Sequence, residues 1–482
     1  MTLHQTRRDF LRASGAAGVS LAVAPLFACD VETETPFEGI YTDKFTYAQG
    51  EPVRVFLALQ SEATVSLTLA REDTPTTVAV LVVPVRTYRF GRVDDAGELG
   101  ADFVPSKVLF TDGLEPGLYR VSIDPSAIQP ENRLNTYNRF PSQNHLARFV
   151  ITSATPGARS RTLWVHDSLT GAAYGSFGGQ SIYGYPSVAR RTVSLLRPGL
   201  DRATVNFQST RFLRQRGYVF EYTDLVALAA ESGSSLRSAY DLIVFIGQFE
   251  YVPTAALAAV EGFLSLGGNG FFAANEFAGF RVRLNPTSQM TTYRTFYELE
   301  DPQFGVPGAE SEVAGTGMTM PGVLRETEVI GNTLWGAMQV SPGAWVDAPL
   351  YVGAETSWLL EGTGLQDGDV LPAAFAEWAS GTLIDFAADG KPFVLPSPHT
   401  GVPADTYVWS AVPSSACKEW WNWNGEPEFS LWPGYNGYAT ALYQQRSSGA
   451  QVITLPSQLI PSNHIGHPVY EQLLLNIFQR LT

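Results

Sequence analysis

Two rhythms of apolar and polar positions divide the chain. From Glu38 to about Thr155, short runs rich in β-branched and aromatic residues recur at 53–59, 64–69, 77–83, 119–123 and 148–152. Turn signals such as Gln49-Gly50-Glu51-Pro52 and Glu115-Pro116-Gly117 separate them, and no helical period persists. The pattern predicts an all-β sandwich over residues 38–156. Pro156-Gly157-Ala158 reads as a linker.

Beyond the linker the rhythm changes. Runs at 162–165, 219–222, 242–246 and 270–274 predict strands, and the continuous apolar stretch 242–246 is of the kind buried on both faces. Residues 207–216 predict a helix stopped by Gly217. Residues 254–266 predict another, with Leu257, Val260, Phe263 and Leu264 on one face and Gly267-Gly268 at its end. Strand–helix–strand alternation at this spacing means βαβ units, a mainly parallel sheet, and ligands beyond the strands' carboxyl ends. Tyr470, Leu473, Leu474, Ile477, Phe478 and Leu481 repeat at helical spacing and predict a closing helix. The stretch from Asn285 to about Asn463 is rich in Gly, Pro and aromatics and reads as an insertion with antiparallel strands. The expected architecture is therefore multidomain α and β: a β-sandwich at 38–156, then an α/β domain at 157–482 carrying an insertion at about 285–463.

The first 29 residues have the layout of a targeting segment. Thr6-Arg7-Arg8-Asp9-Phe10-Leu11-Arg12 precedes an apolar run from Ala13 to Phe27, shorter than the ~20 residues that span a bilayer. The pair Arg7-Arg8 followed by Phe-Leu resembles a twin-arginine export signal. Leu26-Phe27-Ala28-Cys29 resembles a bacterial lipobox, which makes Cys29 the expected acylated N-terminus and residues 30–37 a polar tether. The expected location is periplasmic or cell-surface, membrane-anchored through that lipid.

Charge removes one class of partner. The precursor carries −15, and −17 once residues 1–28 with their three Arg and one Asp are gone. Such a surface repels phosphate backbones, so no nucleic-acid partner is expected. Hydrophobic content of 45% is ordinary for a globular chain. The two cysteines are Cys29 and Cys417; with Cys29 acylated, neither a disulfide nor a cysteine–histidine zinc site is expected. The chain has no Gly-x-Ser-x-Gly stretch, and Cys417 lies far from any strand–turn–helix elbow.

Four segments, taken in order and spacing, resemble the large (β) subunit family of N,N-dimethylformamidase in its C-terminal domain. The first runs from His166-Asp167-Ser168 through Ala173-Tyr174-Gly175-Ser176-Phe177-Gly178-Gly179-Gln180-Ser181-Ile182-Tyr183. The second is Gly247-Gln248-Phe249-Glu250-Tyr251. The third is Gly267-Gly268-Asn269-Gly270-Phe271-Phe272-Ala273-Ala274-Asn275, with Phe280-Arg281-Val282-Arg283 after it, and the last is the closing strand and helix. Gly39-Ile40-Tyr41-Thr42-Asp43-Lys44 is similar to the domain preceding this core in relatives, so the resemblance spans roughly 38–482.

The resemblance implies a glutamine-amidotransferase-like α/β core and one Fe(III) ion held by two tyrosines and a glutamate. Hard oxygen ligands suit Fe(III), and phenolates keep it ferric, so it acts as a Lewis acid on an amide carbonyl. On this chain Glu250 matches the glutamate, and Tyr174 and Tyr183 are the candidate phenolates. Gln248, Asn275, Arg294 and Glu377 match polar positions of the catalytic pocket. Two positions depart. Gln248 stands where the family has histidine and cannot carry a titratable proton near neutral pH. Arg197-Pro198-Gly199 stands where relatives often show Arg-Pro-Tyr, which removes a phenol; Tyr218 or Tyr222 are the candidate substitutes. His464 and His467 fit capping or surface roles better than metal binding, and the Trp420, Trp421, Trp423 and Trp432 cluster fits loop packing. Two functions therefore compete: an amide hydrolase acting on a small amide, or an exported binding or scaffold protein that kept the fold and lost the metal. Oligomerisation is compatible with either.

Overall fold

The structure, a computed structural model, describes residues 39–59, 61–87, 97–127 except 102 and 104, 144–182 except 176, 178 and 179, 188–200, 207–332 except 276, 287, 318, 319, 321 and 322, 346–375, 382–395, 401–413, 437–455 and 465–482. Residues Pro36–Thr482 form one compact unit. The targeting segment, with Arg7, Arg8 and Cys29, lies outside the described residues, as do Tyr183, Glu377, Cys417, His464 and the four tryptophans.

Eight strands form the N-terminal sheet among the described residues. Val53–Leu59 shows the alternation that builds it: Val53, Val55, Leu57 and Leu59 are buried, whereas Arg54 is exposed. These side chains share one core with Tyr47, Leu67, Val83, Val121 and Phe149. Strand Thr76–Thr87 pairs antiparallel with Ala63–Arg71 up to Val85, then parallel with Val53–Leu59 at Arg86 and Thr87. One strand thus pairs first with one neighbour and then with another. Pro84, which has no N–H to give, sits beside that change of partner.

The second sheet has nine strands among the described residues. Glu221–Asp224, Thr162–His166, Leu242–Gln248, Asn269–Asn275 and Gln451–Thr454 lie side by side in parallel. Gly437–Gln445, Thr382–Phe386, Pro392–Val394 and Thr406–Pro413 continue it antiparallel, so the sheet is mixed. Strand Gln451–Thr454 and its antiparallel neighbours fall within the stretch the sequence reads as an insertion, yet they extend the main sheet. The strand expected at 219–222 lies at Glu221–Asp224, because its register is set by pairing with Leu163 through His166.

Both faces of the parallel strands are covered. Helix Pro468–Leu481 packs Ile477 and Phe478 against Val244, Ile246 and Phe271. His467 is the residue before that helix, its ring 5.6 Å from Tyr470. Helix Thr254–Ser265 lays Leu257, Val260, Phe263 and Leu264 over Phe245 and Phe272 on the other side. It ends as the two glycines require: Gly267 has φ 84°, its N–H donates to Leu264 O, and Gly268 N–H donates to Phe263 O. The neighbouring helix Gly233–Ala239 meets it backbone to backbone, since a Cβ on Gly233 would overlap the main chain of Gly262. Gly233→Ala is therefore expected to cost about 1–3 kcal/mol, read as a lowered midpoint in urea or thermal unfolding; an unchanged midpoint would contradict this contact.

A buried ionic seam joins the two sheets. Asp73 is fully buried and accepts from Arg71 Nε at 2.6 Å and from Tyr222 Oη at 2.8 Å, with Arg214 Nη1 at 3.1 Å. Beside it, buried Glu72 faces Arg120, Arg148 and Arg211 at 3.4, 3.2 and 3.2 Å. Arg71, Arg120 and Arg148 belong to the N-terminal sheet, whereas Arg211, Arg214 and Tyr222 belong to helix Phe207–Gln215 and the parallel sheet.

Candidate active site at the carboxyl edge of the parallel strands

Four strands end at one edge. The parallel register sets His166 beside Asp224 and Gln248 beside Asn275. Gly247, at φ 142°, lets the main chain turn out of the Leu242–Gln248 strand. Three residues on, Glu250 is 2% exposed. Its N–H donates to Thr170 Oγ1 at 3.1 Å, and its carbonyl accepts from Phe280 N–H at 2.9 Å. Thr170 lies in the short helix Leu169–Tyr174, whose first N–H groups, on Leu169 and Thr170, donate to Asp167 Oδ1 at 3.2 and 3.1 Å. Asp167, Thr170 and Glu250 are thus tied in sequence from one strand end to the next.

Aromatic side chains extend the site outward. Tyr174, half-buried at the end of its helix, meets Tyr251 edge-on with ring centroids 6.3 Å apart. Tyr251 stacks on Phe280 at 5.3 Å, and the Arg294 guanidinium lies 4.7 Å from the Phe280 ring. Arg294 has φ 50°, a left-handed conformation that costs a residue with a Cβ about 1–3 kcal/mol and tends to be kept near functional sites. Strands Tyr251–Pro253 and Phe280–Asn285 belong to a small separate sheet with Gln289–Thr291 and Thr192–Ser194, which holds these rings in place. Gln248 and Asn275 thus end adjoining strands with Glu250 just beyond them, and Tyr174 is linked to Arg294 through the Tyr251 and Phe280 rings. Sequence reasoning missed Thr170, Tyr251 and His166 as parts of one edge; the last two lie inside the quoted motifs, which was the available signal.

A cavity of about 30 Å³ opens beside this edge, room for one or two waters. His166, Asp167, Ser168, Arg197 and Gly199 line one side, and Tyr41, Phe45 and Arg148 of the N-terminal portion line the other. Arg197 is completely buried and donates to Ala172 O, Phe177 O and Ser194 O at 2.9, 2.9 and 3.0 Å, so it clamps both ends of the Tyr174 segment. Burial pushes its pKa down to about 9. Ser168 Oγ donates to Asp224 Oδ2 at 2.8 Å, and Thr46 Oγ1 donates to Asp224 Oδ1 at 2.8 Å. A Cβ on Gly175 would lie 3.0 Å from Gly199 O, which puts residue 199 against the residue that follows Tyr174.

A family model described as N,N-dimethylformamidase beta subunit-like, C-terminal, matches residues 105–452. The chain belongs to that family. Membership points to amide-hydrolase-type chemistry. The match begins within the N-terminal sheet and ends inside strand Gln451–Thr454. No curated protein matches the chain. Among solved structures, a cold-adapted β-galactosidase from Rahnella sp. R3 is similar at 12% identity and TM-score 0.31, over 67% of this chain and 31% of that one. A cycloisomaltooligosaccharide glucanotransferase from Paenibacillus sp. is similar at 19% identity and TM-score 0.16, over 27% of this chain and 15% of that one. The chain spans under a third of the length of either.

Within this family member, the two substitute phenols are engaged elsewhere. Tyr222 Oη donates to Asp73 in the seam between the sheets, and Tyr218 packs edge-on against Phe478 at 5.5 Å. Among the described residues no group of three or more His, Cys, Asp or Glu side chains could hold a metal.

Proposed function

We propose that the chain is an exported hydrolase of carbon–nitrogen bonds in small amides, of the N,N-dimethylformamidase type, with a single ferric ion at Glu250. The observation that carries this reading is the burial of the Glu250 carboxylate at the carboxyl edge, its backbone anchored on Thr170 and Tyr174 close by. A carboxylate and phenols are hard oxygen donors, so the residues fit Fe(III) in kind. Glu250 and Tyr174 would hold the ion, together with Tyr183. When bound, it would supply Lewis acidity to the amide carbonyl. Gln248, Asn275, Arg294 and Glu377 would orient the amide by hydrogen bonding. In the same reading the N-terminal sheet is a β-sandwich and the second sheet a glutamine-amidotransferase-like core.

The test is elemental analysis and visible spectroscopy of protein purified after native export, with dimethylamine release from N,N-dimethylformamide as the activity assay. Stoichiometric iron, a tyrosinate charge-transfer band and turnover are expected. Iron-free, colourless protein without turnover would leave the non-catalytic binding protein as the reading.

Export has its own test. Changing Arg7 and Arg8 together to Lys is expected to hold the precursor in the cytoplasm, and Cys29→Ser to release the protein from membranes. Fractionation reads both, and membrane-bound export of both variants would contradict the signal assignment.

A further inference from the structure

Glu250 is buried in the short connection between strands Leu242–Gln248 and Tyr251–Pro253, in neither of them. A buried N–H that has left its strand needs an acceptor from elsewhere. Thr170 Oγ1 supplies it at 3.1 Å. We propose that Thr170 is a positioning residue that fixes Glu250 relative to the Tyr174 phenol; this rests on the amide-hydrolase reading above.

The helix that carries Thr170 gives this bond its reach. In Leu169–Tyr174, residues 170 and 174 stand four apart, on one helical face with about 6 Å between their Cβ atoms. That face bears the hydroxyl that holds Glu250 and, one turn later, the ring that meets Tyr251, the residue after Glu250. The helix is itself held at both ends. Asp167 Oδ1 accepts from the Leu169 and Thr170 N–H groups, and Arg197 donates to Ala172 O and Phe177 O. Toward the small sheet, the carbonyls of Phe249 and Glu250 accept from the N–H groups of Ala278 and Phe280 at 2.7 and 2.9 Å. The glutamate's main chain is thus pinned to two elements, and Thr170 is the bond that joins it to the helix of the phenol.

The residue type fits this task. Thr170 is 0% exposed. A β-branched residue is a poorer helix former than Ala or Leu, and a buried hydroxyl costs free energy unless it is bonded, so packing alone would favour an apolar side chain there. What the hydroxyl adds is an acceptor, which valine, nearly the same shape, lacks. Two oxygen donors to one ion must each keep a distance of about 2 Å from it. A bond that fixes the main chain of one donor to the helix of the other acts on that spacing without touching the ion.

The test compares wild type with Thr170→Val, which keeps the shape and removes the acceptor, and Thr170→Ser, which keeps the acceptor and removes the methyl group. Ferric affinity, measured by competition with a chelator, should fall about 10–100-fold in Thr170→Val. Its tyrosinate charge-transfer band should shift, and Thr170→Ser should show wild-type affinity and band. Metal-free protein gives a second readout. The Glu250 amide hydrogen should exchange about tenfold faster or more in Thr170→Val, while Thr170→Ser keeps the wild-type rate. Thr170→Ala gives the same comparison if the valine variant does not fold. A Thr170→Val protein with the affinity and band of wild type would overturn the proposal, as would an unchanged Glu250 exchange rate or a serine variant that loses as much as the valine one. Wild type that binds no iron would bring down the amide-hydrolase reading and this inference with it. Iron-loaded wild type beside an unaltered Thr170→Val would overturn this inference alone.

Discussion

Asp73→Ala should be among the most destabilising single substitutions in the protein, at about 3–5 kcal/mol. The carboxylate is fully buried between Arg71, whose side chain is 8% exposed, Arg214 and the Tyr222 hydroxyl. Removing it takes the carboxylate away from Arg214 and the Tyr222 phenol in a buried seam and leaves Arg71 with Glu115, at 2.8 Å, as its remaining carboxylate partner. By contrast, Lys44→Ala removes an exposed ion pair with Glu51 and should cost under about 1 kcal/mol, because water screens that pair and its side chains lose entropy in forming it. Urea unfolding of the two variants checks the contrast; equal midpoints would mean the seam is not a tertiary lock. The sign with pH follows from Tyr222. Burial, with Asp73 adding to it, holds that phenol protonated well above its usual range. The folded state therefore keeps a proton that the unfolded chain loses above about pH 10, and this contribution to stability fades as pH rises beyond that point. Tyr222→Phe should flatten the alkaline loss while removing one hydrogen bond to Asp73.

Glu250→Gln should abolish iron binding and amide turnover while leaving the fold in place. The amide is isosteric with the carboxylate, and the two backbone bonds that fix the position, to Thr170 Oγ1 and from Phe280 N–H, do not involve the side chain. Changing groups behind a metal ligand already costs 10–100-fold in affinity or activity, so losing a charged ligand should cost more than about 100-fold. Iron stoichiometry, the visible band and dimethylamine release all read this. Full iron content in Glu250→Gln would remove the glutamate from the ligand set, whatever happened to activity.

The candidate site was legible in part because its residues sit in short contiguous motifs. Gln248-Phe249-Glu250 follows an apolar run that could only be a buried strand, so its place at a carboxyl edge followed from the strand. Tyr174 was legible from its motif, but its approach to Tyr251 was not, since the two are brought together by different strands. His166 read as the start of a motif, and its place beside Asp224 at the strand ends was decided only by the parallel register of two separate strands.

What the sequence determined by itself is what neighbours within a few residues can encode. The two-residue alternation of Val53–Leu59, the helical stripe of Pro468–Leu481 and the glycine stop after Thr254–Ser265 each express a backbone period or a backbone angle, and those are local properties. The family followed from such motifs in order. The tertiary structure alone decided the partners. Strand Gln451–Thr454 takes its place beside Asn269–Asn275 through a ladder closed across about 180 residues. Asp73 and Tyr222 are 149 positions apart, and nothing near either names the other. Which strand end faces which, and which charges are dried together in the seam, depend on packing between distant segments, because burial and electrostatic screening are properties of the assembled interior.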